Sequence, residues 1–142
     1  MNLLAAASTS IKASVNEVWN ALTDPAIIKQ YMFGTTVTSD WMEGSNISWQ
    51  GEWKGKPYED KGKILKMIPG QVLQYSHFSP LSGQDDIPQN YHTVTISLEP
   101  EEGNTKISLT QDNNHSEEAQ KHAADNWSAM LASLKKLLEQ QL

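Results

Sequence analysis

The chain has 142 residues, a formal charge of −6 and no cysteine. That length fits one domain, residues 1–142, built around one sizeable core. The acidic balance, with no Lys/Arg patch, excludes a partner gripped through a nucleic-acid backbone, and the missing cysteines exclude disulfides and thiolate chemistry. No window approaches the roughly 18 apolar residues of a membrane span. The opening Met1-Asn2-Leu3-Leu4-Ala5 lacks the basic segment of a secretory signal, so the expected location is the cytoplasm.

Thr9 to Ala13 reads as the end of a strand. Ser14-Val15-Asn16-Glu17 is then a capping box, in which the Ser hydroxyl and the Glu carboxylate satisfy free backbone amides reciprocally. Val15, Val18, Trp19 and Leu22 follow at helical spacing and form one apolar face. Asp24-Pro25 caps a second short helix to about Gln30, because proline at the first helical position forfeits no hydrogen bond. Gly34 follows it.

From Thr35 to Asp112 the period is two. Ile47, Trp49, Gly51 and Trp53 share one side of a strand, with Ser48, Gln50, Glu52 and Lys54 on the other, as in an antiparallel sheet with one wet face. Pro69-Gly70 separates a strand over Lys61 to Ile68 from the next, where Leu73, Tyr75 and His77 share a face. Tyr91 to Glu99 turns Val94, Ile96 and Leu98 inward. Gly103-Asn104 makes the following turn, and Thr105 to Gln111 turns Ile107 and Leu109 inward.

The last element is a long amphipathic helix from about His115 to Leu142, entered through Asn114-His115-Ser116-Glu117, with carboxylates at the positive end of its dipole. Ala123, Trp127, Met130, Leu131, Leu134 and Leu138 form its apolar stripe. The Leu-rich half suits packing. The half with Ala119, Ala123, Asn126 and Trp127 is too small or too polar to fill a core, and reads as the roof of a cavity. The Lys135-Lys136 pair lies in the last turns, where cations favour the dipole.

This order of elements resembles the helix-grip fold of the START and birch-pollen-allergen superfamily, and more narrowly its branch named after the activator of the ninety-kilodalton heat-shock chaperone's ATPase. The residues carrying the resemblance run from Ile11 through Ser14, Glu17 and Trp19 to Pro25, then Ser39 to Ser45, then Trp127 with Leu131, Leu134 and Leu138. It implies an α+β fold: a curved antiparallel sheet of about six to seven strands, two short helices after the first strand, and a long C-terminal helix over the sheet. Proteins of this kind include lipid and sterol carriers, polyketide cyclases and stress proteins. The resemblance therefore implies a small hydrophobic ligand such as a lipid, sterol or aromatic polyketide, or a chaperone or other protein partner.

Parity then selects the expected lining. Trp49, Trp53, Tyr75, His77, Ile96 and Gln111 fall on the inward face, and Trp127 and Met130 close the cavity from above, giving aromatic walls with a few polar groups. His77 is the candidate for holding an acidic ligand group or for acid–base work; its bland alternative is a buried histidine satisfied by a hydroxyl or amide. His92 sits at a strand entrance, where exposure is expected. His115 and His122, seven apart, make no zinc spacing, so no metal is expected. No G-x-S-x-G, cysteine nucleophile or Gly-rich phosphate loop is present, so neither a catalytic residue nor a cofactor is assigned. Asp85-Asp86 fall in the loop Ser79 to Asn90, whose length suggests a lid, with Leu81 and Ile87 folding over the mouth. Binding of a small ligand is the reading these features favour. A cyclase- or hydrolase-type enzyme using His77 or Gln111, and a protein-binding domain using Trp41-Met42 beside Glu43, are its rivals.

Overall fold

The structure is a computed structural model that describes residues 3–53 and 55–140, leaving aside the side chains of Trp53 and Leu81. Strand β1 (Leu3–Ile11) is followed by α1 (Val15–Thr23), α2 (Pro25–Tyr31) and β2 (Thr36–Ser39). Strands β3 (Asn46–Trp53), β4 (Lys56–Ile68), β5 (Val72–His77), β6 (His92–Glu101) and β7 (Asn104–Asn114) lead into α3 (Glu117–Glu139). The seven strands form one antiparallel sheet in the order β1-β7-β6-β5-β4-β3-β2. This is a helix-grip fold. β1 and β2 lie at opposite edges, so α1 and α2 carry the chain from one edge to the other.

The caps form as their residue types dictate. Ser14 Oγ accepts from Glu17 N at 3.2 Å while Glu17 Oε1 accepts from Ser14 N at 3.3 Å, closing the capping box. Asp24 Oδ1 accepts from Ala26 N at 2.9 Å and starts α2, with Pro25 as its first residue. At α3 the cap is Ser116, whose Oγ accepts from Ala119 N at 3.0 Å. Asn114 instead belongs to β7 and ties it to β1, donating from Nδ2 to Leu3 O at 2.9 Å. The β6–β7 turn sits at Glu102-Gly103, with Gly103 at φ 75° and Asn104 already paired with Glu101.

The alternation predicted for the strands is the alternation of burial. Ile47, Trp49, Leu73, Tyr75, Val94, Ile96, Leu98, Ile107 and Leu109 are all buried on one face of the sheet. Met130, Leu131, Leu134 and Leu138 of α3 close over them, with Val18, Ala21, Leu22, Ile28 and Tyr31 from the short helices. The C-terminal end of α3 is moored to the edge of the sheet. Lys135 Nζ donates to Ser10 O at 2.7 Å and to Glu139 Oε2 at 2.6 Å, and Glu139 Oε2 also accepts from Lys12 N at 2.9 Å. Lys135 thus does more than answer the helix dipole.

Two glycines admit close approaches. A Cβ on Gly62 would lie 1.7 Å from Ser76 O, so β4 and β5 run too close there for any side chain, two residues before the register shift between Ile64 and Lys66. A Cβ on Gly51 would meet Tyr58 Oη at 2.8 Å. Gly51 lies opposite Tyr58 across β3 and β4, so the phenol ring lies over the bare backbone.

Candidate functional site

The N-terminal half of α3 spans a cavity of about 500 Å³. Its roof is Ala119, His122, Ala123, Asn126, Trp127 and Met130; its walls include His77, His92 and Gln111 from β5, β6 and β7. The two halves of α3 divide as their residue sizes require. Leu131, Leu134 and Leu138 of the second half are buried, whereas Ala123 and Trp127 are half-buried over open space.

The residues selected by parity fall at two depths. His77, Gln111, Trp127 and Met130 line this cavity. Trp49, Tyr75 and Ile96 lie deeper, around a void of about 30 Å³ that Trp127 and Met130 also border. They form a packed aromatic floor, with Trp49 and Tyr75 ring centroids 5.0 Å apart. Burial drives the hydroxyls of Tyr31 and Tyr75 far above the ordinary tyrosine range, and Tyr75 adds to the effect on Tyr31. Trp53 lies on the same side of β3 as Trp49 by parity, but its side chain is outside the described residues.

Gln111 is committed to its neighbours. Its Oε1 accepts from Trp127 Nε1 at 2.7 Å and its Nε2 donates to Asn114 Oδ1 at 3.1 Å. The pair seats the Trp127 indole, the one polar handle of a large apolar side chain, against the end of β7.

His77 pairs with a carboxylate rather than with a hydroxyl or amide. Its Nε2 lies 2.8 Å from Asp60 Oδ2, and its ring meets Trp49 edge-on with centroids 5.1 Å apart. A strand beginning at Lys61, as the sequence suggests, leaves Asp60 outside it; β4 starts at Lys56, which gives Tyr58, Asp60, Gly62 and Ile64 one inward parity. The pairing signal was that alternation, extended one turn earlier. His92 is half-buried, not exposed. Its Nδ1 donates to Asp112 O at 2.8 Å, and its ring stacks beside His77 with centroids 6.3 Å apart.

His115 and His122 complete the rim, so all four histidines of the chain line this one cavity. No group of His, Asp or Glu among the described residues is arranged to hold a metal ion. No Lys, Arg, Asp or Glu side chain lines the cavity among the described residues. Hydroxyls and amides of Thr35, Tyr58, Ser82, Gln84 and Asn126 supply the rest of its polarity, and Tyr58 Oη shares a hydrogen bond with Thr35 Oγ1 at 3.0 Å.

The long loop after β5 reaches both faces of the sheet. Ser82 and Gln84 line the cavity, whereas Asp86 and Pro88 face a groove on the outer side. Asp86 pairs with Lys61 and accepts from Tyr91 Oη at 2.6 Å. The hydrogen bond from Lys61 is the main reason the Asp86 carboxyl sits below the usual range. Ile87 is exposed and is not over the cavity mouth; the side chain of Leu81 is outside the described residues. Trp41, offered as an exposed protein-binding residue, packs against the core and borders the inner void, leaving Met42 as the exposed apolar side chain of that turn. No helix among the described residues is long and apolar enough to cross a membrane.

Comparison with known proteins agrees with this architecture. Residues 12–139 match the family described as activator of Hsp90 ATPase homolog 1-like protein. The solution structure of ChR145 from Cytophaga hutchinsonii is 57% identical, with a TM-score of 0.86 over 98% of this chain and 95% of that one. The solution structure of the Aha1 dimer from Colwellia psychrerythraea is 24% identical, with a TM-score of 0.76 over 96% of each chain. CalU16 from Micromonospora echinospora, a crystal structure, is 23% identical, with a TM-score of 0.71 over 94% of this chain and 82% of that one. The last two likenesses are of fold. No protein of curated function matches the chain significantly.

Proposed function

The chain belongs to the activator of Hsp90 ATPase homolog 1-like family, and from that premise we propose that it acts as a single domain binding a small, partly apolar molecule between its sheet and the first half of α3, without catalysis. The observation that carries this reading is the cavity of about 500 Å³ under the small-residue half of α3, a volume in the range of small-ligand pockets. A solid core beneath this half of α3 would need large aliphatic side chains at positions 119 and 123. Alanines stand there instead.

Aromatic groups floor and roof the site, so apolar contact supplies the bulk of the affinity and the ring of neutral polar groups sets orientation. Trp127 and Met130 press on the ligand from α3, His77 bounds it from β5, and Trp49, Tyr75 and Ile96 support it from below. Gln111 acts through Trp127, which it holds in place.

Titration of labelled protein with fatty acids, sterols, flavonoids and aromatic polyketides, followed by amide NMR, tests the reading. Saturable shifts clustered at His77, His92, Gln111 and Trp127 are the expected result. A flat response across the panel overturns it and transfers the function to a protein partner.

A further inference from the structure

We propose that the cavity selects a ligand that donates a hydrogen bond, through a phenolic or alcoholic hydroxyl, and that His92 Nε2 receives it. The inference deepens the ligand-binding reading above and rests on it.

The tautomer of His92 follows from its partner. A backbone carbonyl can only accept, so the hydrogen in the Nδ1 contact with Asp112 O belongs to His92. The neutral ring then carries a lone pair on Nε2, the nitrogen left for the cavity that His92 lines. His77 is governed in the same way. A carboxylate accepts, so the neutral tautomer selected by Asp60 holds its hydrogen on Nε2 and its lone pair on Nδ1. That Nδ1 is buried without a hydrogen-bond partner, and so is Asp60 Oδ1. Beside His92, then, the sheet carries unpartnered acceptors and a carboxylate, and among the described residues no lysine or arginine lines the cavity to offset them.

Of the remaining lining groups, the Ser82 hydroxyl and the Gln84 and Asn126 amides both donate and accept, and so do not tip the balance. Trp127 Nε1 is spent on Gln111, and Gln111 Nε2 is engaged by Asn114. Asp112 is acidic and uses Oδ1 to accept from Thr93 N. Tyr58 bonds to Thr35, and His115 and His122 stand at the rim on and before α3. Such an acceptor-rich end favours a donor and penalises a carboxylate, whose lone pairs would face other lone pairs. Ligands with an apolar ring body and a hydroxyl fit; fatty acids, with an anionic head, do not.

The test uses three probes of one shape: 2-naphthol, 2-methoxynaphthalene and 2-naphthoate. Dissociation constants are read from amide NMR at neutral pH on the wild-type chain and on His92→Asn. Asparagine Nδ2 replaces the histidine Nδ1–H toward Asp112 and removes Nε2. On the wild type, 2-naphthol is expected to bind roughly tenfold more tightly than the other two, the factor one well-made hydrogen bond supplies. In His92→Asn the ratio of 2-naphthol to 2-methoxynaphthalene affinity should fall to about one. Equal binding of naphthol and its methyl ether overturns the inference and leaves the ligand-binding reading standing. Tighter binding of naphthoate does the same, as does a naphthol preference that survives in His92→Asn. Absence of saturable binding by all three probes overturns both. His92→Phe, which keeps a ring of similar shape and removes Nε2, provides a second variant if His92→Asn does not fold, with the naphthol preference expected to vanish and a surviving one counting against the inference.

Discussion

The Trp127–Gln111 bond shows how one side chain divides packing from site. Trp127 borders both the deep void and the outer cavity, so its position sets how far a ligand can penetrate. Replacing it with phenylalanine keeps an aromatic roof and leaves Gln111 Oε1 without its donor in a site 9% exposed. The loss should be about 1–3 kcal/mol, the cost of an unsatisfied buried acceptor, read as a lowered urea midpoint with unchanged slope. At this scale the sequence was legible where chemistry is local: Ser14 with Glu17, Asp24 with Pro25. It was opaque where a partner depends on register across strands. Asp60 and His77 are 17 residues apart and meet only because β4 lies beside β5, and His92 finds Asp112 in the same manner.

Among the elements, α3 carries the clearest division of labour. Leu134 is fully buried, so Leu134→Ala should cost about 2–5 kcal/mol by lost burial and the cavity left behind. Ala123 faces a cavity already open. Ala123→Leu should change stability by less than about 1 kcal/mol while blocking ligand uptake, a contrast that thermal melts and NMR titration together can read. The opposite pressure acts on β4, where Ser76 O stands against Gly62. Gly62→Ala should cost about 1–3 kcal/mol or more, since the obstacle is backbone that no rotamer change can clear. The division of α3 was readable from its composition, Leu-rich at one end and Ala-rich at the other. The close approach of β4 and β5 was not, because it depends on pairing between strands; the register shift itself does break the alternation of β4, whose inward positions pass from Ile64 to Met67.

At the scale of the whole molecule, the sheet's edges and its ionisable groups set the limits of stability. The β2 edge is four residues long, which leaves little unpaired backbone for another chain to extend. Alkaline stability is limited by Tyr31 and Tyr75. Both stay protonated in the folded chain well above the ordinary value of 10.0, whereas the unfolded chain releases those protons once the pH passes it. Their contribution is complete below that value and declines above it, by about 1.4 kcal/mol per pH unit for each tyrosine. Urea midpoints between pH 9 and 11 should therefore fall steeply, and less steeply in Tyr75→Phe. On the acid side, Glu139 is held below its usual range by its hydrogen bonds to Lys135 and Lys12, so its support for the end of α3 is lost as the pH falls through that lowered value.

The C-terminal end of α3 is tied to the β1 edge by Lys135 and Glu139, whereas the other end, which Gln120 Nε2 joins to Leu4 O at 2.7 Å, spans a cavity. Such a helix opens more readily at the end over the cavity. Amide protons near Ala119 to Ala123 should exchange with solvent sooner than those near Leu134, in graded order along the helix. An occupant beneath Trp127 would slow the fast end toward the slow one, making the chain's own breathing a record of whether it is filled.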